Sequence, residues 1–454
     1  MEKITNFKEN SIFFIGIGGI SMSALAEICM CFGAKVAGSD TALSDQTAKL
    51  TALGAQVFHG HNAAHITNEY NIVVYSGAIH SENVEYQKAK ELGIKLIERS
   101  EFLGMICSLY EKSIVVTGTH GKTTTTALVG DVLSRAGLNP TIHLGGLTPT
   151  YGNFKLGNKT VFVSEGCEYR NSIKYLTPTI GVITNIELDH TDFYKDYSEV
   201  EAAFLHFANS ATNTVIVFEN PQFAAKITAK INVVQVGFGN YDIAAKNLVL
   251  NPDGTYSFDV FYGGYIGKFK TNQIGLHNAK NALCAIAVGL VVGEDVGTIY
   301  GAVRSFLGVK RRLEKVGEIN GTPVICDYAH HPTEIANSLA CVSAAFKRVF
   351  CVFQPHTFSR TVGLKKQFLE CFNAVKKLVI FKTYPARENY IVGGSAKELF
   401  NALKFKNKTY CDNQKQLYLE LIKPHDCDVV LVLGAGDIYN KVVKIVKKSE
   451  KIKG

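Results

Sequence analysis

Val115-Val116-Thr117-Gly118-Thr119-His120-Gly121-Lys122-Thr123-Thr124 is the stretch of this 454-residue chain best equipped for chemistry. An apolar run ends in a glycine-bracketed loop, and a lysine and threonines open a helical pattern behind it. In such a loop backbone N–H groups and the helix N-terminus hold phosphate oxygens. The lysine meets the β/γ charge, and the first threonine hydroxyl can ligate Mg²⁺. The common form has four residues between the glycines, whereas only Thr119 and His120 separate Gly118 from Gly121. This variant loop predicts an ATP site made by Gly118, Thr119, His120, Gly121, Lys122, Thr123 and Thr124. Mg²⁺ takes oxygen ligands and keeps several waters, so it needs few protein partners beyond the phosphates. Two later apolar runs end in suitable groups, Val161–Glu165 in a carboxylate and Val182–His190 in an acid–imidazole pair. Ligands collect at the carboxyl ends of parallel strands, so Thr123, Glu165 and His190 are expected to converge.

An earlier glycine turn, Gly16-Ile17-Gly18-Gly19-Ile20-Ser21, follows the apolar run Ser11–Ile15 and opens a helical segment, Ser21–Cys31. Asp40 follows the next apolar run, Ala34–Gly38. This is a variant of the dinucleotide fingerprint with Ser21 in place of the third glycine. Glycines there let backbone N–H groups approach a diphosphate, and an acid binds a ribose hydroxyl. The residues alone do not distinguish NAD from another nucleotide.

Such turns need strands before them and helices behind. Short apolar runs alternate with helical stretches throughout, the pattern of βα units around parallel sheets. The third region starts near Glu314 and holds the strands Val324–Cys326, Val349–Phe353, Leu378–Phe381 and Val429–Leu433. Each region has its own strands, which predicts an α/β protein of three domains, residues 1–109, 110–313 and 314–454. A hairpin, Leu248–Val260, is expected around the turn Asn251-Pro252-Asp253-Gly254.

The composition, 46% hydrophobic and 19% charged, excludes disorder. The net charge of +8 is concentrated in Lys441–Gly454, with six lysines and one glutamate. A lysine-rich last helix complements its own dipole, so no nucleic-acid partner is expected. Eleven cysteines, an odd number without a CxxC pair, exclude common zinc and redox spacings. Cys284, Cys326 and Cys351 lie among apolar neighbours and read as buried free thiols in a reducing compartment. The longest apolar run, Ala282–Gly293, is too short to span a bilayer. Residues 12–26 imitate a signal peptide, but balanced charges before them and three glycines within favour a first strand and turn. A cytoplasmic, soluble enzyme without a membrane partner is expected.

Gly118-Thr-His-Gly-Lys-Thr-Thr-Thr resembles the ATP loop of the Mur ligases, which extend the peptide stem of the bacterial cell-wall precursor. Thr184–His190, Gly275-Leu-His-Asn-Ala-Lys-Asn281 and Asp327-Tyr-Ala-His-His-Pro-Thr-Glu334 also resemble that family's motifs, in its order. The resemblance covers nearly the whole chain. It implies a Rossmann-like N-terminal domain, a central P-loop ATPase-like domain and a Rossmann-like C-terminal domain. Gly16–Ser23, His330-His331 and Phe353–Thr361 are more narrowly similar to the branch that adds the first stem residue.

The resemblance implies roles by position. Gly16, Gly18, Gly19, Ile20 and Ser21 would hold the UDP diphosphate, with Asp40 near the uridine end and His61, Ser76 and Arg99 also in the UDP-sugar site. Lys122, Glu165, His190 and Arg312 would be catalytic, with Thr123, Glu165 and His190 on Mg²⁺. Asn278 and Asn281 match adenine contacts, while Arg312, Asp327 and His330 match positions that reach ATP. Tyr328, His330 and Arg360 would line the amino acid, where an arginine suits a carboxylate. Cys167 and Arg170 stand where many relatives have acids, although Glu165 and Glu168 remain. Glu199–Phe207 lacks the lysine that other branches carbamylate, in agreement with the alanine-adding branch.

The implied reaction is ATP-driven joining of L-alanine to the carboxylate of UDP-N-acetylmuramate through an acyl phosphate. It belongs to peptidoglycan synthesis, and so to cell shape and division. The base could be His190, His330 or His331. Three alternatives carry different expectations. A muropeptide-recycling ligase would add a tripeptide to the same sugar. An NAD-dependent oxidoreductase would use the first glycine turn and leave the second unexplained. A non-catalytic nucleotide-binding protein would have no need of Lys122, Thr123, Glu165, His190 and Arg312 together.

Overall fold

Parallel strands covered on both faces read as continuous apolar runs, and three sheets are built this way. The computed structural model describes residues 7–190, 193–386 and 388–453. Its first sheet runs, from one edge, Gln56–His59, Lys35–Asp40, Ser11–Ile15, Ile72–Tyr75 and Lys95–Glu98, all parallel. Alternate residues go to opposite faces. Phe13, Ile15, Ala37 and Val73 join one apolar cluster, and Ile12, Phe14, Val36 and Val74 the other. Helix Ile20–Cys31 starts one residue earlier than expected, at the N-cap Gly19.

The second sheet has ten strands. Lys112–Thr117 lies inside it, paired in parallel with Ile180–Ile183 on one side and Val161–Glu165 on the other. The carboxyl ends of all three strands therefore open on the loop 118–121. Thr141–Thr148 continues the sheet beside Val161–Glu165, and Gly152–Lys155 pairs antiparallel with it. The expected hairpin joins Ile243–Leu250 to Tyr256–Tyr262, neighbours in the sheet. Asn251 N–H donates to the Thr255 carbonyl and Gly254 N–H to the Asn251 carbonyl, each at 2.9 Å, which closes the turn.

The third sheet runs Glu314–Ile319, Thr322–Asp327, Val429–Leu433, Val349–Phe353, Lys377–Phe381 and Lys408–Cys411, antiparallel only between the first two. The lysine-rich helix spans Ile438–Lys453, and the final Gly454 of the basic segment lies outside the described residues.

The chain divides into two compact units. One comprises Met1–Asn247, Phe258–Phe269 and Lys280–Leu307; the other comprises Leu248–Ser257, Lys270–Ala279 and Gly308–Gly454. The first two sheets share the first unit because a single apolar cluster contains Phe14 and Phe102 together with Phe162 and Phe204. All eleven cysteines are free thiols, and Cys284, Cys326 and Cys351 are buried as expected. Among the described residues no helix is long and apolar enough to cross a membrane.

Candidate active site

The loop between strand Lys112–Thr117 and helix Lys122–Arg135 takes two left-handed glycines, Gly118 with φ 134° and Gly121 with φ 83°. Both are also sites of close approach. A Cβ on Gly118 would lie 2.1 Å from Thr184 Oγ1, and one on Gly121 would lie 2.3 Å from Asn281 Oδ1. The end of the neighbouring strand braces the loop. His120 N–H donates to Asn185 Oδ1 at 2.8 Å, Thr119 N–H to the Asn185 carbonyl at 3.1 Å, and Thr184 Oγ1 to the His120 carbonyl at 2.7 Å.

Lys122 Nζ folds back over the loop and donates to the Gly118 and Thr119 carbonyls at 2.7 and 3.0 Å. It also meets both Glu168 oxygens, Oε1 at 3.1 Å and Oε2 at 2.8 Å. Glu168 is 2% exposed, and His190 Nε2 lies 3.5 Å from its Oε1. Burial alone would raise the Glu168 pKa, but the bonds from His190 and Lys122 outweigh it and hold the carboxyl below its ordinary range. Reciprocally, Glu168 raises His190 above the usual imidazole value against its partial burial. Thr123 Oγ1 donates to Glu165 Oε2 at 2.7 Å.

Thr123 and Glu165 are thus brought together, whereas His190 groups with Glu168 and Asp189, whose ligand atoms lie within 4.8 Å of one another. Glu168 is the functional group that the sequence did not single out. Its signal was its retention beside Glu165 in a segment where other acids are replaced. Thr123, Glu165, Glu168, Asp189 and His190 offer four oxygen donors and one nitrogen beside the phosphate loop, a set that fits a hard divalent cation.

At the first glycine turn, Gly16 is left-handed with φ 86° and faces Ser76 Oγ. Gly18 N–H donates to Asp40 Oδ2 at 2.9 Å, and Ala42 N–H to Asp40 Oδ1 at 3.0 Å, so Asp40 braces the turn with both oxygens. Helix Ile20–Cys31 begins at Gly19 without a side-chain cap, which leaves its N-terminal dipole for an anion. Arg99 Nη1 donates to Ser21 Oγ at 3.4 Å. His61 is held by the fully buried Glu85, Nδ1 to Oε2 at 2.7 Å, and Glu85 holds His65 Nδ1 at the same distance.

Asn281 sits against Gly121, while Asn278, three residues earlier on helix Leu276–Val292, is buried with Nδ2 donating to the Ile274 carbonyl at 2.8 Å. In the second unit Asp327 organises its surroundings. Oδ1 accepts from Ala329 N–H at 2.8 Å and Ser338 Oγ at 3.2 Å, and Oδ2 accepts from Leu313 N–H at 2.8 Å. Arg312 is exposed, with its guanidinium carbon 5.8 Å from the Tyr328 ring centre. His330 Nδ1 donates to the Tyr328 carbonyl at 3.0 Å, which assigns Nε2 as the lone-pair nitrogen. Arg360 Nη1 lies 3.3 Å from His356 Nδ1, and the His356 and His330 rings are 5.7 Å apart. His330 and Arg360 therefore both neighbour His356, a residue the sequence reading left out, and the Tyr328 ring lies 5.3 Å from that of His330. Burial first, then neighbouring cationic groups, keep both imidazoles below their ordinary value. His331 caps helix Pro332–Ala345 by accepting Thr333 N–H on Nδ1.

Three segments match Mur ligase families. Residues 11–111 match the Mur ligase family catalytic domain, 116–289 the Mur ligase middle domain, and 311–436 the Mur ligase glutamate ligase domain. A UDP-N-acetylmuramate–L-alanine ligase of Clostridium kluyveri is 40% identical over 444 residues, covering 95% of this chain and 97% of its own. One from Caldanaerobacter subterraneus subsp. tengcongensis is 38% identical over 457 residues, with 98% and 99% covered. The crystal structure of UDP-N-acetylmuramate-alanine ligase from Thermotoga maritima superposes with a TM-score of 0.81 at 27% identity, covering 97% of this chain and 99% of that one.

Proposed function

The chain belongs to the Mur ligase family, and from that premise we propose that it joins L-alanine to UDP-N-acetylmuramate at the expense of ATP. The observation that carries the reading is the phosphate loop with Lys122 and the Thr123–Glu165 pair at its rim, in a chain alike end to end to alanine-adding ligases. Those relatives do not favour tripeptide addition or hydride transfer. The protein would work in the cytoplasm as domains 1–109, 110–313 and 314–454, for the sugar nucleotide, ATP, and the amino acid.

The sugar carboxylate oxygen attacks the γ-phosphorus, ADP leaves, and an acyl phosphate forms. The alanine nitrogen then attacks the acyl carbon, and the C–O bond breaks to release phosphate. Little covalent work falls to the protein, which positions anions and neutralises their charge. Lys122 exchanges its bonds to the loop carbonyls and Glu168 for phosphate oxygens. Thr123, Glu165 and His190 would hold Mg²⁺, which supplies positive charge beside the phosphates. Asn278 and Asn281 offer amide donors and acceptors for adenine, and Arg312 would add positive charge for the phosphates. The uncapped N-terminus of helix Ile20–Cys31, with Arg99, receives the UDP diphosphate.

Arg360 pairs with the alanine carboxylate. His330 is the base for the amine proton, because His190 would be taken up as a metal ligand and His331 has its Nδ1 lone pair on Thr333. His330 keeps a free Nε2 lone pair and a lowered pKa. Phosphate release from ATP tests the reading. Turnover should require the UDP-sugar and be fastest with L-alanine among L-alanine, glycine, L-serine and the stem tripeptide. Preference for the tripeptide would move the assignment to recycling, and no release from any combination would overturn the reading.

A further inference from the structure

One hairpin of the central sheet carries two buried polar side chains that grip the first glycine turn. His143, on the strand Thr141–Thr148, is 1% exposed and sets Nε2 2.9 Å from Ser21 Oγ and Nδ1 2.9 Å from Ser164 Oγ. Asn153, on the adjoining strand Gly152–Lys155, donates to the Ile20 carbonyl at 2.6 Å and to Ser23 Oγ at 3.0 Å. Polar groups buried this deeply persist when their partners are met, and a half-met network is worse than an apolar one.

Counting hydrogens gives the chain of bonds a direction. Ser164 Oγ donates to the Glu165 carbonyl at 3.1 Å, so it accepts the Nδ1 hydrogen of His143. Nε2 then carries a lone pair, to which Ser21 Oγ donates, and Ser21 accepts from Arg99 Nη1 at 3.4 Å. The order is Arg99 to Ser21 to His143 to Ser164 to the Glu165 carbonyl. Burial, with the Arg99 charge adding to it, holds His143 down to about 3, so the ring stays neutral and the direction persists.

Ser21 stands where the dinucleotide fingerprint has its third glycine, a position that ordinarily serves close helix–strand packing. Here the hydroxyl has a partner instead, supplied by another sheet. With its hydrogen committed to His143, Ser21 offers lone pairs to Arg99 and so orients a guanidinium at the uncapped end of helix Ile20–Cys31. We propose that His143 is a positioning residue for the UDP-sugar diphosphate, acting through Ser21 and Arg99. Through Ser164 it also keeps that turn in register with the strand that ends at Glu165. The inference rests on the first glycine turn being the diphosphate site.

Steady-state kinetics of His143→Leu, His143→Gln, His143→Asn and Ser21→Ala test it. Leucine fills the space without a polar atom, glutamine reaches the Nε2 position, and asparagine reaches only the Nδ1 position. His143→Leu should raise the KM for the UDP-sugar about tenfold, the scale of a buried hydrogen bond left unmade, with the KM for ATP within about twofold. Glutamine should restore most of the loss and asparagine little, and Ser21→Ala with His143→Leu should lose less than the two singles added. An unchanged sugar KM, equal rescue by both amides, or a parallel rise in both KM values would overturn the proposal. Should His143→Leu fail to fold, Ser21→Ala must show the same split, and its absence is equally decisive. Wild-type turnover independent of the UDP-sugar would instead overturn the reading of the site itself.

Discussion

Gly145 lies on the strand beside the one that ends at Glu165, and the carboxylate occupies the space that a side chain would need there. A Cβ there would fall 1.8 Å from Glu165 Oε1 and 2.9 Å from its Cδ. Ordinary carbon–oxygen contact begins near about 3.4 Å, so in Gly145→Ala the carboxylate must move by roughly 1.5 Å. A shift of that size breaks the 2.7 Å bond from Thr123 Oγ1. A hydrogen bond to a charged group contributes about 1.5–3 kcal/mol when well buried. Glu165 is only half-buried and can rehydrate, so the folded state should lose no more than about 1 kcal/mol. Catalysis has no such refuge, because a displaced carboxylate no longer serves phosphate chemistry. Losing one preorganised electrostatic group costs about 10²–10³ in rate. The assay is phosphate release against Mg²⁺ concentration, with thermal unfolding as the control. Gly145→Ala should fold nearly as well as the parent, lose about two orders of magnitude in kcat, and add nothing to the defect of Glu165→Ala. Parental activity and an unaltered Mg²⁺ requirement in Gly145→Ala would refute the placement of Glu165.

Lys122→Met should abolish measurable turnover, and it should also destabilise the nucleotide-free protein by about 2 kcal/mol in denaturant melts, since it leaves buried Glu168 short of its cation. Arg360→Lys should raise the KM for L-alanine about tenfold with little change in the KM for ATP, because a point ammonium cannot replace a planar fork at a carboxylate. Asp131 offers a pH test away from the site. Burial, partly offset by Lys155, raises its pKa to about 6, above the unfolded value of about 3.9. Protonated Asp131 therefore favours the fold below about pH 4, and that advantage is lost as pH rises through 6. Asp131→Asn should gain about 2–3 kcal/mol at pH 8 relative to pH 4 in unfolding curves, with kcat unchanged.

Strands such as Val349–Phe353 and Val429–Leu433 were legible to the residue, because parallel strands covered on both faces leave unbroken apolar runs. The phosphate loop was legible for a related reason: a glycine, a lysine and a threonine at fixed offsets have one common use. Glu168 was less so, since no periodicity reveals that the segment after Glu165 folds back and buries an acid against Lys122. His143 looks like a lone polar residue in an apolar run, and its meaning depends on Ser21, which comes from another sheet. The division into two units was also hidden. Separate sets of strands mark sheets, but whether Phe14 and Phe102 share a cluster with Phe162 is decided by faces that the sequence does not pair. Asp40 was read as a ligand contact, and the structure shows it bracing its own turn through Gly18 and Ala42.

Carboxylate activation is the centre of this account, and oxygen labelling tests it directly. UDP-N-acetylmuramate carrying ¹⁸O in its carboxylate, turned over with ATP and L-alanine, should pass one labelled oxygen into each phosphate released, as cleavage of the acyl C–O bond requires. Unlabelled phosphate would mean that the sugar carboxylate never attacks the γ-phosphorus, and the proposed reaction would be wrong.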